Sequence, residues 1–97
     1  GKLKEAAILL RKAIEIEPNF AEGYYNLGNI LRDLGDFQEA MTLYKKALNF
    51  NKNIDLIKYN LGKILLKTGN LKDGLSYIKK AHGSIIFNYS NSDIIIN

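Results

Sequence analysis

A 34-residue period constrains this chain more than any other feature of it. Gly1, Gly35 and Gly69 fall 34 residues apart, and so do Ala13, Ala47 and Ala81. The same offset joins Leu27-Gly28 to Leu61-Gly62, Leu31 to Leu65, and Ala6 to Ala40. It also joins Tyr25-Asn26 to Tyr59-Asn60, and Leu10 to Tyr44 and Ile78. Self-similarity at such a period marks a solenoid, in which each unit buries its apolar face only by stacking on a neighbour.

Within each period the apolar residues keep helical spacing. Tyr24, Leu27, Gly28 and Leu31 share one face of a helix expected near 21–34. Phe37, Ala40, Met41, Tyr44, Ala47 and Leu48 share one face of a second, near 37–50. Gly35 is expected to end the first helix as a C-cap. Asn19 with Glu22, and Asp36 with Glu39, have the spacing of capping boxes at helix starts. Pro18 falls at a helix–helix joint, where its missing N–H costs least. Gly28 sits in mid-helix, where glycine costs about 1 kcal/mol against alanine. The period supplies a reason: Gly28 and Ala40 are small so that two antiparallel helices can approach closely.

These residues resemble the tetratricopeptide repeat family. Its pattern of W-x2-L-G-x2-Y, then A-x3-F, A and P, is met at Tyr24, Leu27, Gly28, Leu31, Ala40, Tyr44 and Ala47, and again at Leu61, Gly62, Leu65, Gly74, Ile78 and Ala81. The chain departs from it at Lys58, where an aromatic is usual, and at Lys52 and Ile86, where proline is usual. His82 replaces the usual leucine. The resemblance implies an all-α helix-turn-helix repeat solenoid of about two and a half repeats. Residues 1–20 would be the second helix of a truncated repeat, 21–54 a complete repeat and 55–83 another. The leading helix, near Leu3–Ile16, is expected to bare Leu9 and Leu10, which a preceding helix of a longer array would cover.

Residues 84–97 read differently. Ile85, Ile86, Phe87 and Tyr89 are strand formers, Ser90-Asn91-Ser92-Asp93 is a turn cluster, and Ile94–Ile96 is β-branched again. The expectation is a short β-hairpin-like tail, with Gly83 ending the last helix. Its apolar residues Ile85, Phe87, Ile94 and Ile96 would then be a self-association surface, because an open apolar strand edge is a template for another strand. A fold-back of the tail on its own last repeat is the alternative.

Catalysis is not expected. The chain has no cysteine and one histidine, His82, placed near the expected end of the last helix. Its acidic residues fall mainly at helix starts, where capping explains them, and its glycines form no phosphate loop. No catalytic, metal or cofactor site is expected. No run of the chain is long enough to cross a bilayer. With no targeting signal visible, the cytoplasm is the default compartment.

What the resemblance implies instead is a binding groove for a protein or peptide. Its groove positions fall on Tyr25, Asn26, Asn29 and Arg32 in one repeat, and on Tyr59, Asn60, Lys63 and Leu66 in the next. Asparagines like Asn26 and Asn60 form a ladder that holds a peptide main chain in the superhelix of the enzyme that attaches N-acetylglucosamine to proteins. An amide both donates and accepts. With helices about 8–10 Å apart and an extended chain advancing about 3.3 Å per residue, two such asparagines would touch backbone about three residues apart. The carboxylate clamp of some relatives is disfavoured, since Leu56 and Asn60 stand where it needs basic groups. Arg11-Lys12, Lys45-Lys46 and Lys79-Lys80 form a repeated basic stripe, consistent with a net charge of +4, and are expected to be a solvated outer face. Nucleic acid and membrane partners are accordingly disfavoured. Two other functions stay open: a substrate-docking segment of a larger enzyme such as a glycosyltransferase, and homo-oligomerisation through the tail or the uncapped N-terminal helix.

Overall fold

The computed structural model describes the backbone of residues 1–51 and 54–89, and side chains as far as Ala81. Five helices follow one another: α1 (Lys2–Ile16), α2 (Ala21–Asp33), α3 (Phe37–Phe50), α4 (Asp55–Lys67) and α5 (Leu71–Tyr89). There is no strand among the described residues. The pairs α2–α3 and α4–α5 are the main packing units, with α1 laid on α2 and α3 on α4.

The turns inside the pairs are built alike. Gly35 (φ 90°) and Gly69 (φ 92°) are left-handed, a conformation that costs other residues about 1–2 kcal/mol. At the first turn the Gly35 N–H donates to Arg32 O (3.0 Å) and the Asp36 N–H to Leu31 O (2.8 Å). At the second, Gly69 donates to Leu66 O (3.1 Å) and Asn70 to Leu65 O (2.7 Å). Both are Schellman closures, which satisfy the last carbonyls of α2 and α4. The capping expectation holds at Asp36 for the N-cap bond, the carboxylate accepting from the Glu39 N–H at 3.3 Å; the reciprocal half of a capping box is not made, since the Asp36 N–H donates to Leu31 O and the Glu39 carboxylate meets Arg11. It fails at Asn19: Phe20 is the N-cap of α2, with no side-chain bond to the helix start. The turn through Pro18 is closed instead by the Phe20 N–H donating to Glu17 O at 3.1 Å.

Close approach accounts for the mid-helix glycines. A Cβ on Gly28 would lie 2.8–2.9 Å from the Tyr44 ring. One on Gly62 would lie 2.6 Å from Ile78 Cγ1 and 2.8 Å from the Gly74 carbonyl oxygen. The contact in the first pair therefore recurs in the second with Tyr44 replaced by Ile78, its counterpart 34 residues on. Around these contacts Leu27, Tyr44, Ile57 and Leu61 are fully buried, with Ala40, Ala47 and Ala81.

Residue 24 and its counterpart at 58 differ as the sequence suggests. Tyr24 is buried, stacks on Phe50 with ring centroids 5.6 Å apart, and donates its hydroxyl proton to Pro18 O at 2.7 Å. Lys58 is only half-buried, 3.9 Å from Asp55 Oδ1. It lines an open cleft with Leu48, Asn49, Tyr77 and Lys80.

The tail expectation needs correcting. Gly83 does not end α5, which runs through it to Tyr89, so residues 85–89 are helical. Gly35 and Gly69 are followed at once by Asp36 and Asn70, where the chain turns back. Gly83 lies instead within a series of apolar residues at helical spacing, Ile78, Ala81, Ile85 and Tyr89. A helical glycine weakens a helix by about 1 kcal/mol without obliging it to stop. His82 accordingly lies inside α5 and not at its end. The second expected strand, with Ile94 and Ile96, lies outside the described residues, as do the side chains of Ile85 and Phe87.

Candidate peptide-binding face

Helices α2 and α4 are joined by a side-chain hydrogen bond, and each packs on the helix that follows it, α2 on α3 and α4 on α5. The eight expected groove residues all sit on α2 and α4, in three different situations.

Tyr25 and Asn60 are bound to each other. The Asn60 Nδ2 donates to the Tyr25 hydroxyl at 2.8 Å, joining α4 to α2. Asn60 is 9% exposed, the one polar or charged residue in the buried set among the described residues. The Tyr25 ring packs at 5.8 Å from that of Tyr44, tilted by 40°. The Tyr44 hydroxyl donates to Asn29 Oδ1, and Arg32 Nη1 donates to the Tyr44 hydroxyl at 3.5 Å. Burial pushes the Tyr44 pKa up to about 12, with Arg32 acting against it. Asn29, Arg32, Tyr25 and Asn60 are thus tied into the core around Tyr44, a residue that the groove pattern does not contain. A buried tyrosine needs a partner for its hydroxyl, and that requirement was the available signal for the network.

Asn26 is exposed, so Asn26 and Asn60 are not equivalent despite their 34-residue spacing. Among the described residues the face presents one exposed amide at Asn26 and one amide committed to Tyr25. Tyr59, Lys63 and Leu66 complete the α4 side. Tyr59 and Leu66 are half-buried, and the Lys63 ammonium lies 5.2 Å above the Tyr59 ring.

The repeated basic pairs are on α1, α3 and α5, and all are exposed. Arg11 is not a free charge. Its guanidinium meets the Glu39 carboxylate with two bonds, Nη1–Oε2 at 3.0 Å and Nη2–Oε1 at 3.2 Å, and this hydrogen bonding raises its pKa. On α1 the apolar residues Ile8, Leu9 and Ile16 are exposed, whereas Leu10 packs against the core. Exposure of Leu9 follows the sequence expectation and that of Leu10 does not. Leu10 is the counterpart of Tyr44 and turns inward with it.

Comparison with known proteins agrees with this architecture. Residues 28–69 match a family model described as TPR repeat, and residues 9–42 match one described as tetratricopeptide repeat. No curated protein matches the chain. Among solved structures, one described as the crystal structure of MamA superposes with a TM-score of 0.84 at 21% identity, over 93% of this chain and 53% of that one. A MamA AMB-1 structure gives 0.80 at 29% identity, over 84% and 45%. A MamA RS-1 double mutant gives 0.82 at 31% identity, over 87% and 47%. The chain spans about half the length of these structures.

Proposed function

The chain belongs to the tetratricopeptide repeat family, and from that premise we propose that it is a non-catalytic protein-interaction scaffold holding an extended peptide along the α2–α4 face. The observation that carries this reading is the Tyr25–Asn60 bond. It fixes two neighbouring helices in register and so presents a rigid face with Asn26 free beside it. Rigid presentation lowers the ordering cost of binding. Asn26 is the residue that would hold a peptide unit, by donating to a carbonyl and accepting from an N–H. Tyr59 and Leu66 would bury apolar side chains of the ligand.

The experiment is selection of binding peptides from a displayed library, followed by titration against Asn26→Ala. The expected result is a loss of about tenfold or less, the worth of one or two hydrogen bonds, with an unchanged unfolding midpoint. Peptides that bind Asn26→Ala as tightly as the parent would place the site elsewhere.

Self-association is a second reading, and the exposed Ile8, Leu9 and Ile16 of α1 support it. Light scattering of the parent and of Leu9→Asp with Ile16→Asp tests it. A parent that stays monomeric at high micromolar concentration would end it.

A further inference from the structure

A cleft where α2, α3 and α4 meet is lined by Arg32, Phe37, Lys63, Ile64 and Lys67. Three of these five residues are cations, and no carboxylate lines it. Arg32 is partly engaged: its Nε lies 3.2 Å from Asp33 Oδ1, and its Nη1 is turned to Tyr44. Lys63 and Lys67 have no ion-pair partner among the described residues. Their ammonium groups rest on aromatic rings, Lys63 on Tyr59 at 5.2 Å and Lys67 on Phe37 at 5.1 Å. Such contacts position a cation without neutralising it.

The placement runs against stability. Lys63 and Lys67 are four apart on one helix, where like charges repel. Among the described residues only Arg11, Arg32 and Lys58 have acids within ion-pair distance, so what sets Lys63 and Lys67 apart is their convergence with Arg32 on one cleft that no carboxylate lines. Lys63 and Lys67 are exposed, beside the apolar Phe37 and Ile64. An anion brought by a ligand would relieve the repulsion between them.

We propose that this cleft is the acid-reading end of the α2–α4 face and takes an extended peptide carrying Asp or Glu at alternate positions. The inference rests on the reading of that face as a peptide groove. Spacing selects the ligand. Four residues of helix rise about 6 Å, which separates the Lys63 and Lys67 positions along α4. Two residues of extended chain span about 6.6 Å, and their side chains leave on the same side. A stretch of extended peptide that lies along α4 at this end of the face can therefore present acids at i and i+2 to Lys63 and Lys67 together. Arg32 stands on the α2 wall for a third. Acids at i and i+1 point to opposite sides and cannot both be met.

The test uses three labelled peptides titrated against the chain by fluorescence anisotropy. One alternates Asp with Ser, one has the same composition with its Asp residues clustered at one end, and one has Asn for every Asp. The protein variants are Lys63→Gln with Lys67→Gln and, as a control of equal charge change on the other face, Lys45→Gln with Lys80→Gln. Circular dichroism confirms that both remain helical. The alternating peptide is expected to bind about tenfold more tightly than its Asn counterpart, to prefer alternation over clustering, and to weaken as ionic strength rises. Most of that gain should vanish in the Lys63/Lys67 variant and persist in the control.

Equal losses in the two variants would mean diffuse attraction to a basic protein and would overturn the proposal. So would equal binding of the alternating and Asn peptides, or of the alternating and clustered ones. An oligothymidylate strand that bound more tightly through Lys63 and Lys67 would reassign the cleft to nucleic acid. If neutral selected peptides still bind the α2–α4 face while acidic ones fail, the acidic class is wrong and the groove stands. If neither binds, both readings fall.

Discussion

Asn60 of α4 donates a 2.8 Å hydrogen bond to the Tyr25 hydroxyl of α2, across 35 residues of sequence. A net worth of about 0.5–1.5 kcal/mol is usual for such a bond, and leaving one buried partner without it costs more. Asn60→Ala and Tyr25→Phe should therefore each lower stability by about 1–2 kcal/mol. In a double-mutant cycle by urea unfolding they should couple by at least about 0.5 kcal/mol. Asn26→Ala, on the exposed counterpart, should change stability by less than about 0.5 kcal/mol. Additive losses at Tyr25 and Asn60 would show that the bond does not persist in solution.

The two mid-helix glycines predict an order of effects. Alanine raises helix propensity by about 1 kcal/mol at either site, so propensity alone says that both substitutions stabilise. Space says the reverse. At Gly62 the new methyl would meet backbone, the Gly74 oxygen at 2.8 Å and the Ile78 nitrogen at 3.1 Å, neither of which can turn away. At Gly28 it would meet the Tyr44 ring at 2.8–2.9 Å, a side chain and not backbone. Gly62→Ala should cost about 2–3 kcal/mol and Gly28→Ala about 1–2 kcal/mol. Thermal unfolding followed by circular dichroism reads the order directly.

Only one of the two expected caps is formed, and the difference is measurable. Asp36→Ala should lose about 1 kcal/mol, within the usual range for an N-cap deletion. Asn19→Ala should lose less than about 0.5 kcal/mol, because its side chain bonds no helix N–H. A large loss at Asn19 would show that α2 begins one residue earlier in solution.

Tyr44 gives the chain an alkaline limit. Its pKa is raised from the ordinary 10.0 to about 12 because the ring is buried. In the unfolded chain the phenol ionises near pH 10, while in the folded chain it stays protonated to about pH 12. The unfolded state therefore loses its proton first, and stability falls as pH rises through that window. The contribution is complete below pH 10. Its loss is on the order of 2 kcal/mol by pH 12. Tyr44→Phe should flatten this part of the stability–pH curve, at the expense of the bond to Asn29. An equal slope in parent and variant would assign the alkaline loss to other groups.

The repeat period made the helix pairs readable because solenoid packing is local: each apolar residue meets neighbours a few turns away, and the pattern repeats. Gly35 and Gly69 announced their turns, since few other residues take a positive φ. The fate of Asn60 was not readable. Asn26 and Asn60 share a repeat position, but Asn60 reaches back 35 residues to Tyr25, a pairing between helices of successive repeats that spacing alone does not announce. Asn19 has the right spacing for a cap, but spacing does not fix the backbone turn that aims the carbonyl group. Strand propensity misled at Ile85–Tyr89 because β-branched and aromatic residues at three–four spacing also suit a helix, and Gly83 was weighed as a stop on its identity alone. The convergence of Arg32, Lys63 and Lys67 required the fold, for it joins the end of one helix to the middle and end of another.

The most direct test of the scaffold reading is a map of where a selected peptide touches the chain. Amide chemical shifts of the isotope-labelled protein are followed while the peptide is titrated in. The account predicts the largest shifts along α2 and α4, at Asn26, Tyr59, Lys63 and Leu66, with little change at Lys45, Lys46, Lys79 and Lys80. Shifts concentrated on α3 and α5 instead would contradict it and make the basic outer face the site of binding.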